Sequence, residues 1–273
     1  MKTRKDRMIT AVLFDVFETL VTERGAAPPR ASSLGEALGL DGTAFRAAWK
    51  TQRPRVVRGY LSFGEALIEI GTQLGVAVDP DAVQRVCEGR VRAKAAVFQR
   101  IDPELVAVTQ GLLEQGIRLA AVSNCFAEDV QAWPGCALAP QFASTVFSFE
   151  VGVAKPEPGI YLEAVRRLGV KPAEALFIGD GADDELLGAE RAGLRTARAV
   201  WFLEFGADSP AFATVPRVAN RQDVLELVAA GERSSRGACR ELRTRPPATS
   251  TARVPYGCVR RSRGQLPRPA PRR

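Results

Sequence analysis

ITAVLFDVFETL, residues 9–20, decides how the rest of the chain is read. Its first half, Ile9–Phe14, is mostly apolar and rich in β-branched residues, the pattern of a strand buried on both faces of a parallel sheet. A carboxylate, Asp15, follows at once. Ligands of open α/β sheets bind just beyond the carboxyl ends of the strands, so Asp15 stands where chemistry is done.

Four more segments share this character: RLAAVS (Arg118–Ser123), STVFSF (Ser144–Phe149), ALFIG (Ala175–Gly179) and RTARAV (Arg195–Val200). Helical patterns over Pro103–Gln115, Pro158–Leu168 and Asp183–Ala192 separate most of them, and the first two stop at Gly116 and Gly169, as glycine C-caps do. The alternation predicts an α/β fold with a doubly wound, mainly parallel, Rossmann-like sheet of five strands, carried by residues 1–20 and 102–230. Residues 21–101 are too long for a crossover and show no convincing strand. They carry helical patterns near Arg30–Leu38, Gly42–Arg53, Ser62–Leu74 and Pro80–Phe98, with Ser62 and Glu65 spaced as a capping box. This predicts an inserted α-helical cap.

The chain contains no histidine, so Ser-His-Asp triads, Cys-His nucleophiles and His-ligated zinc or iron cannot be built from it. Catalysis must rest on carboxylates, Lys, Arg, Cys or hydroxyls, with a hard cation that prefers oxygen. The five cysteines form no CxxC pair, as expected for reduced thiols in a cytoplasmic protein. The apolar run Met8–Phe14 meets Asp15 before it could serve as a secretory core, and no apolar stretch is long enough to span a bilayer. The net charge of +7 is misleading: residues 231–273 hold 12 Arg and 2 Glu, leaving 26 basic and 29 acidic residues elsewhere. That Arg/Pro-rich tail is expected to be disordered, and any nucleic-acid contact is expected of it alone. The expected partner is a small anionic molecule, and the expected state a monomer or homodimer.

At the predicted strand ends lie Asp15, Ser123 with Asn124, and Gly179 with Asp180, while Lys155 follows the third strand in GVAKPEPGIY (Gly152–Tyr161). Each alone has an ordinary explanation as a cap, a turn or a solvated side chain. Their conjunction at one sheet edge does not. In this order and spacing the chain resembles the haloacid dehalogenase superfamily from Ile9 to about Val200. FDVFETL matches that family's Asp-x-Asp-x-Thr except at the second Asp, and VSNC, Lys155 and GDGADDELLGAERAG are similar to its later motifs. The helical insertion sits where its subfamily I members carry a cap.

The resemblance implies Asp15 as covalent nucleophile, with Ser123 and Lys155 as its catalytic partners. It implies Mg2+ held by Asp15, the backbone carbonyl of Phe17, Asp180, and Asp184 or Glu185, with Glu185 slightly preferred. Thr19 and Asn124 are expected at the substrate, as are Arg55 and Arg58 of the insertion. The most favoured activity is a Mg2+-dependent phosphatase acting on a small phosphorylated metabolite. Phe17 departs from the pattern, because family phosphatases use an Asp there to protonate the leaving oxygen. Two alternatives therefore stand: a metal-independent 2-haloacid dehalogenase, or a binding protein with weakened catalysis. Glu18 occupies a position that is usually Gly in the family and is expected to lie in the following flap.

Overall fold

The computed structural model describes residues 8–24, 31–203, 212 and 214–230. The proposed tail, 231–273, lies outside the described residues. The sheet has the strand order β3-β2-β1-β4-β5-β6: β1 is Ala11–Phe14, β2 Arg118–Ser123, β3 Ser144–Phe147, β4 Ala175–Gly179, β5 Arg195–Ala199 and β6 Arg217–Val218. Every pairing is parallel. Six strands replace the five expected from sequence. The extra one, β6, is two residues long and offers no alternation to read.

β1 lies in the middle of the sheet and is fully buried, so both of its faces are apolar. Side chains alternate across a strand. Val12 and Phe14 join one core with Leu119, Ala121 and Ile178, while Ala11 and Leu13 join a second with Val122, Tyr161 and Phe177 on the other face. The chain leaves β1 toward β2 on one side and returns to β4 on the other, which makes the β1 end a topological switch point.

Helices α1 (Ala31–Ala37), α2 (Gly42–Val57), α3 (Phe63–Gln73) and α4 (Pro80–Phe98) form the insertion between β1 and α5 (Pro103–Glu114). They bury a core of their own around Phe45, Phe63, Leu67 and Ile70, and Phe126 and Ala154 from the loops after β2 and β3 pack into it. The Ser62–Glu65 capping box is present. α2 runs past the expected stop at Arg53 and through Pro54 to Val57. Proline forfeits one intrahelical bond, but the buried Val56 and Val57 hold the last turn in place.

Beyond β3 the expected strand is cut short. Ser148 begins α6 (Ser148–Val151), and its buried hydroxyl accepts from the Cys125 amide at 3.1 Å and donates to the Cys125 carbonyl at 3.3 Å. α7 (Pro158–Leu168) ends at Gly169 as expected. α8 (Glu185–Arg191) starts two residues later than expected, because Asp183 and Asp184 both adopt positive φ, at 52° and 54°.

Candidate active site

Asp15 continues directly from β1, and its amide donates to the Ile178 carbonyl at 2.9 Å. Lys155 arrives from the loop after α6 and is fixed from β2. Asn124 spans to it, donating Nδ2 to the Lys155 carbonyl at 2.9 Å and accepting the Lys155 amide on Oδ1 at 2.7 Å. The Asn124 side chain thus holds the lysine loop, and it also lines the cavity where the sequence expects a substrate contact. Lys155 Nζ donates to Asp15 Oδ1, and to Glu185 Oε2 at 2.5 Å.

Two glycines make this closeness possible. A side chain at Gly179 would strike the Glu185 carboxylate, and one at Gly188 would strike the Pro156 backbone. α8 can therefore lie directly on the lysine loop. Tyr161 Oη donates to the Glu185 carbonyl at 2.7 Å and anchors the first turn of that helix.

Carboxylate oxygens of Asp15, Asp180 and Glu185 lie within 4.8 Å of one another. Asp15, Glu185 and Lys155 are all buried. Burial pushes Asp15 and Glu185 above the ordinary carboxylate range; Lys155 opposes the rise, and the neighbouring acids reinforce it. Burial also works against the Lys155 ammonium, but Asp15 and Glu185 outweigh it and raise its pKa. The three carboxylates form an oxygen donor set whose fully ionised form a hard divalent cation would favour.

These groups open on a cavity of about 340 Å³, also lined by Ser123, Asn124, Phe17 and Glu18. Several expected site residues do not line it. Asp184 is exposed and does not line the cavity, whereas Glu185 does. Thr19 is completely buried, and its hydroxyl has no hydrogen-bond partner among the described residues. Arg55 pairs with Glu69 at 2.6 Å and Arg58 with Glu157 at 2.5 Å, both on the flank of the insertion. The cations that the insertion does bring to the cavity are Arg53, Arg90 and Lys94. Sequence reading passed over the last two. Their signal was present: Val83, Arg90, Lys94 and Val97 follow one helical stripe, and two charges on a buried stripe call for a partner.

Lys94 Nζ lies 4.0 Å from the Phe17 ring centroid and 2.5 Å from Glu23. Glu18 has φ 59°, a region that glycine enters freely, which accounts for the family's usual residue there. Its carboxylate accepts from the Thr22 hydroxyl at 2.9 Å and the Glu23 amide at 2.8 Å, so it braces the loop after β1.

A family model described as haloacid dehalogenase-like hydrolase matches residues 9–193. The chain belongs to the haloacid dehalogenase-like hydrolases. Among curated proteins, this hydrolase is 32% identical over 198 residues to the glyceraldehyde 3-phosphate phosphatase of Methanopyrus kandleri, covering 70% of this chain and 84% of that one. It is 31% identical over 140 residues to the phosphoserine phosphatase of Thermus thermophilus, covering 51% of this chain and 52% of that one. A solved structure of a 2-haloacid dehalogenase from Pseudomonas syringae pv. Tomato DC3000 shares the fold, with TM-score 0.58 and 23% identity over 82% of this chain and 99% of that one.

The two acids of the α8 start separate cleanly by mutation. Glu185→Gln is expected to lower kcat/KM of this hydrolase about 10- to 100-fold, the range seen when a carboxylate supporting a metal site is lost. Asp184→Asn should stay within about threefold, as surface changes do. Steady-state kinetics of the two variants decides; equal losses would contradict the assignment.

Proposed function

We propose that this hydrolase is a Mg2+-dependent phosphatase of small phosphorylated metabolites, working through an aspartyl-phosphate on Asp15. The observation that carries this reading is the grouping of Asp180 with the buried Asp15 and Glu185, both paired with Lys155, an all-oxygen donor set that suits a divalent cation and not a halocarboxylate anion. Relatives named as phosphatases at 31–32% identity support it.

Asp15, Asp180 and Glu185 would hold Mg2+, with the Phe17 carbonyl as a further oxygen donor; bound there, it would offset repulsion between the Asp15 carboxylate and a phosphate dianion. An Asp15 carboxylate oxygen attacks phosphorus, and the bond from phosphorus to the leaving oxygen breaks, that oxygen taking its proton from solvent water. Lys155 keeps its proton throughout and balances charge on the nucleophile and the transferred phosphoryl group. The Ser123 hydroxyl, at the end of β2, donates to a phosphoryl oxygen. Water then attacks phosphorus, freeing inorganic phosphate and restoring the Asp15 carboxylate.

Phe17 supports a second reading. It can give no proton to a leaving oxygen, whereas a halide leaves without one. One experiment separates the two: p-nitrophenyl phosphate, sugar phosphates and 2-chloropropionate are each incubated with and without chelator. Chelation is expected to lower phosphate release at least ~100-fold, since several kcal/mol of charge stabilisation are at stake, and added Mg2+ to restore it. Chelator-indifferent halide release with no phosphate release would instead establish the dehalogenase.

A further inference from the structure

The cavity has a second wall, built by α2, α4, the loop after β1 and the turn after β2. Resting on the phosphatase reading, we infer that this wall selects phosphate monoesters whose leaving group is uncharged and hydroxylated, against esters bearing a second anionic group.

Each cation on this wall already faces a carboxylate. Arg90 lies 2.7 Å from Asp129, Lys94 lies 2.5 Å from Glu23 and 3.8 Å from Asp129, and Arg53 lies 3.9 Å from Asp183. The wall therefore carries no excess positive charge, the more so because Glu18 also lines it. The Arg90 and Lys94 side chains are 19% and 7% exposed, and Asp129 only 5%, so these charges are poorly screened. A leaving group with its own carboxylate would find no cation without a partner here among the described residues, and it would face Asp129 and Glu23. Like charges brought together at a binding surface disfavour association.

Hydrogen bonding points the same way. Asp129 Oδ2 accepts from the Phe126 amide at 3.0 Å, but its Oδ1 accepts no hydrogen bond despite the ion contact. Arg90 Nε, beside it, donates none. The Arg90 guanidinium is held over the Phe126 ring, 4.4 Å from its centroid, so its orientation is fixed by packing. A hydroxyl, which both donates and accepts, can bond to either member of this carboxylate–guanidinium pair after a small side-chain adjustment. A carboxylate only accepts.

The test compares glycerol 3-phosphate with 3-phosphoglycerate, which share a carbon skeleton and differ in one hydroxymethyl against one carboxylate. p-Nitrophenyl phosphate reports phosphatase turnover independently. The wild-type protein with Mg2+ is expected to favour glycerol 3-phosphate at least ~10-fold in kcat/KM. Asp129→Asn, which leaves Arg90 with an unbalanced charge, is expected to shrink that ratio about 10-fold, the tenfold step of 1.4 kcal/mol. Glu23→Gln should shrink it through Lys94 in the same direction, and it serves as an independent check on the Asp129 variant. Equal or reversed preference in the wild type, with p-nitrophenyl phosphate still turned over, overturns the inference and leaves the phosphatase reading standing. Phosphate release from none of the three substrates overturns both.

Discussion

Asp15→Asn is expected to abolish hydrolysis, lowering kcat at least ~10,000-fold, while the protein stays folded. An amide at this position keeps the shape of the carboxylate but offers no nucleophilic oxygen anion. The loss should be far larger than for any other single change at the site, because the neighbouring groups are already engaged. Glu185 is committed to Lys155, and Glu18 is committed to Thr22 and the Glu23 amide. Cys125 is buried, and burial raises its pKa so far that it carries no thiolate at neutral pH. Retention of the fold follows from the same geometry, since removing one of three crowded carboxylate charges relieves repulsion as well as an ion pair. Circular dichroism with steady-state kinetics checks both halves of this expectation. Activity within tenfold of wild type would remove Asp15 as nucleophile.

Lys155→Met is the second large effect, and it falls on stability as well as rate. Without the ammonium, the buried Asp15 and Glu185 face each other and Asp180 with no internal cation. Breaking a buried ion pair by removing one partner costs about 3–5 kcal/mol. The pH dependence has a definite sign. Burial already holds the Asp15 and Glu185 pKa values above their ordinary range, and loss of Lys155 removes what opposes that rise. The folded variant then binds protons more readily than wild type, so the deficit is greatest above the Glu185 pKa of about 8 and shrinks as pH falls through it. Urea denaturation of metal-free protein at pH 9 and pH 6 measures it. A variant as stable as wild type at pH 9 would show that Lys155 does not balance the cluster.

Much of this arrangement was legible in the chain, and the reasons are physical. Ile9–Phe14 had to be buried on both faces, so it became the central strand and delivered Asp15 to the switch point. Strand ends fix where side chains emerge, which is why Ser123 and Asp180 converge with Asp15, while Asn124 ties the Lys155 loop to the same edge. The helical insertion was readable as helices but not as a surface. Which of its arginines meets the cavity depends on how far α2 runs past Pro54 and on how α4 packs over Phe63 and Phe126, and both are tertiary outcomes. Arg55 and Arg58 therefore pointed elsewhere, while Arg90 and Lys94 lay hidden in an ordinary-looking helix. Asp184 and Glu185 sit where two consecutive left-handed residues meet the start of α8, a local conformation that aspartate tolerates and no periodicity reveals. β6 was too short to carry a pattern at all.

The central claim is that Asp15 carries the phosphoryl group during turnover. Rapid acid quench of wild-type protein mixed with Mg2+ and a phosphate monoester, followed by peptide mapping, tests it most directly. A phosphorylated peptide containing Asp15 should form before the first steady-state turnover and be labile to hydroxylamine, and it should be absent from Asp15→Asn. Full phosphate release with no modified Asp15 at any quench time would contradict the account.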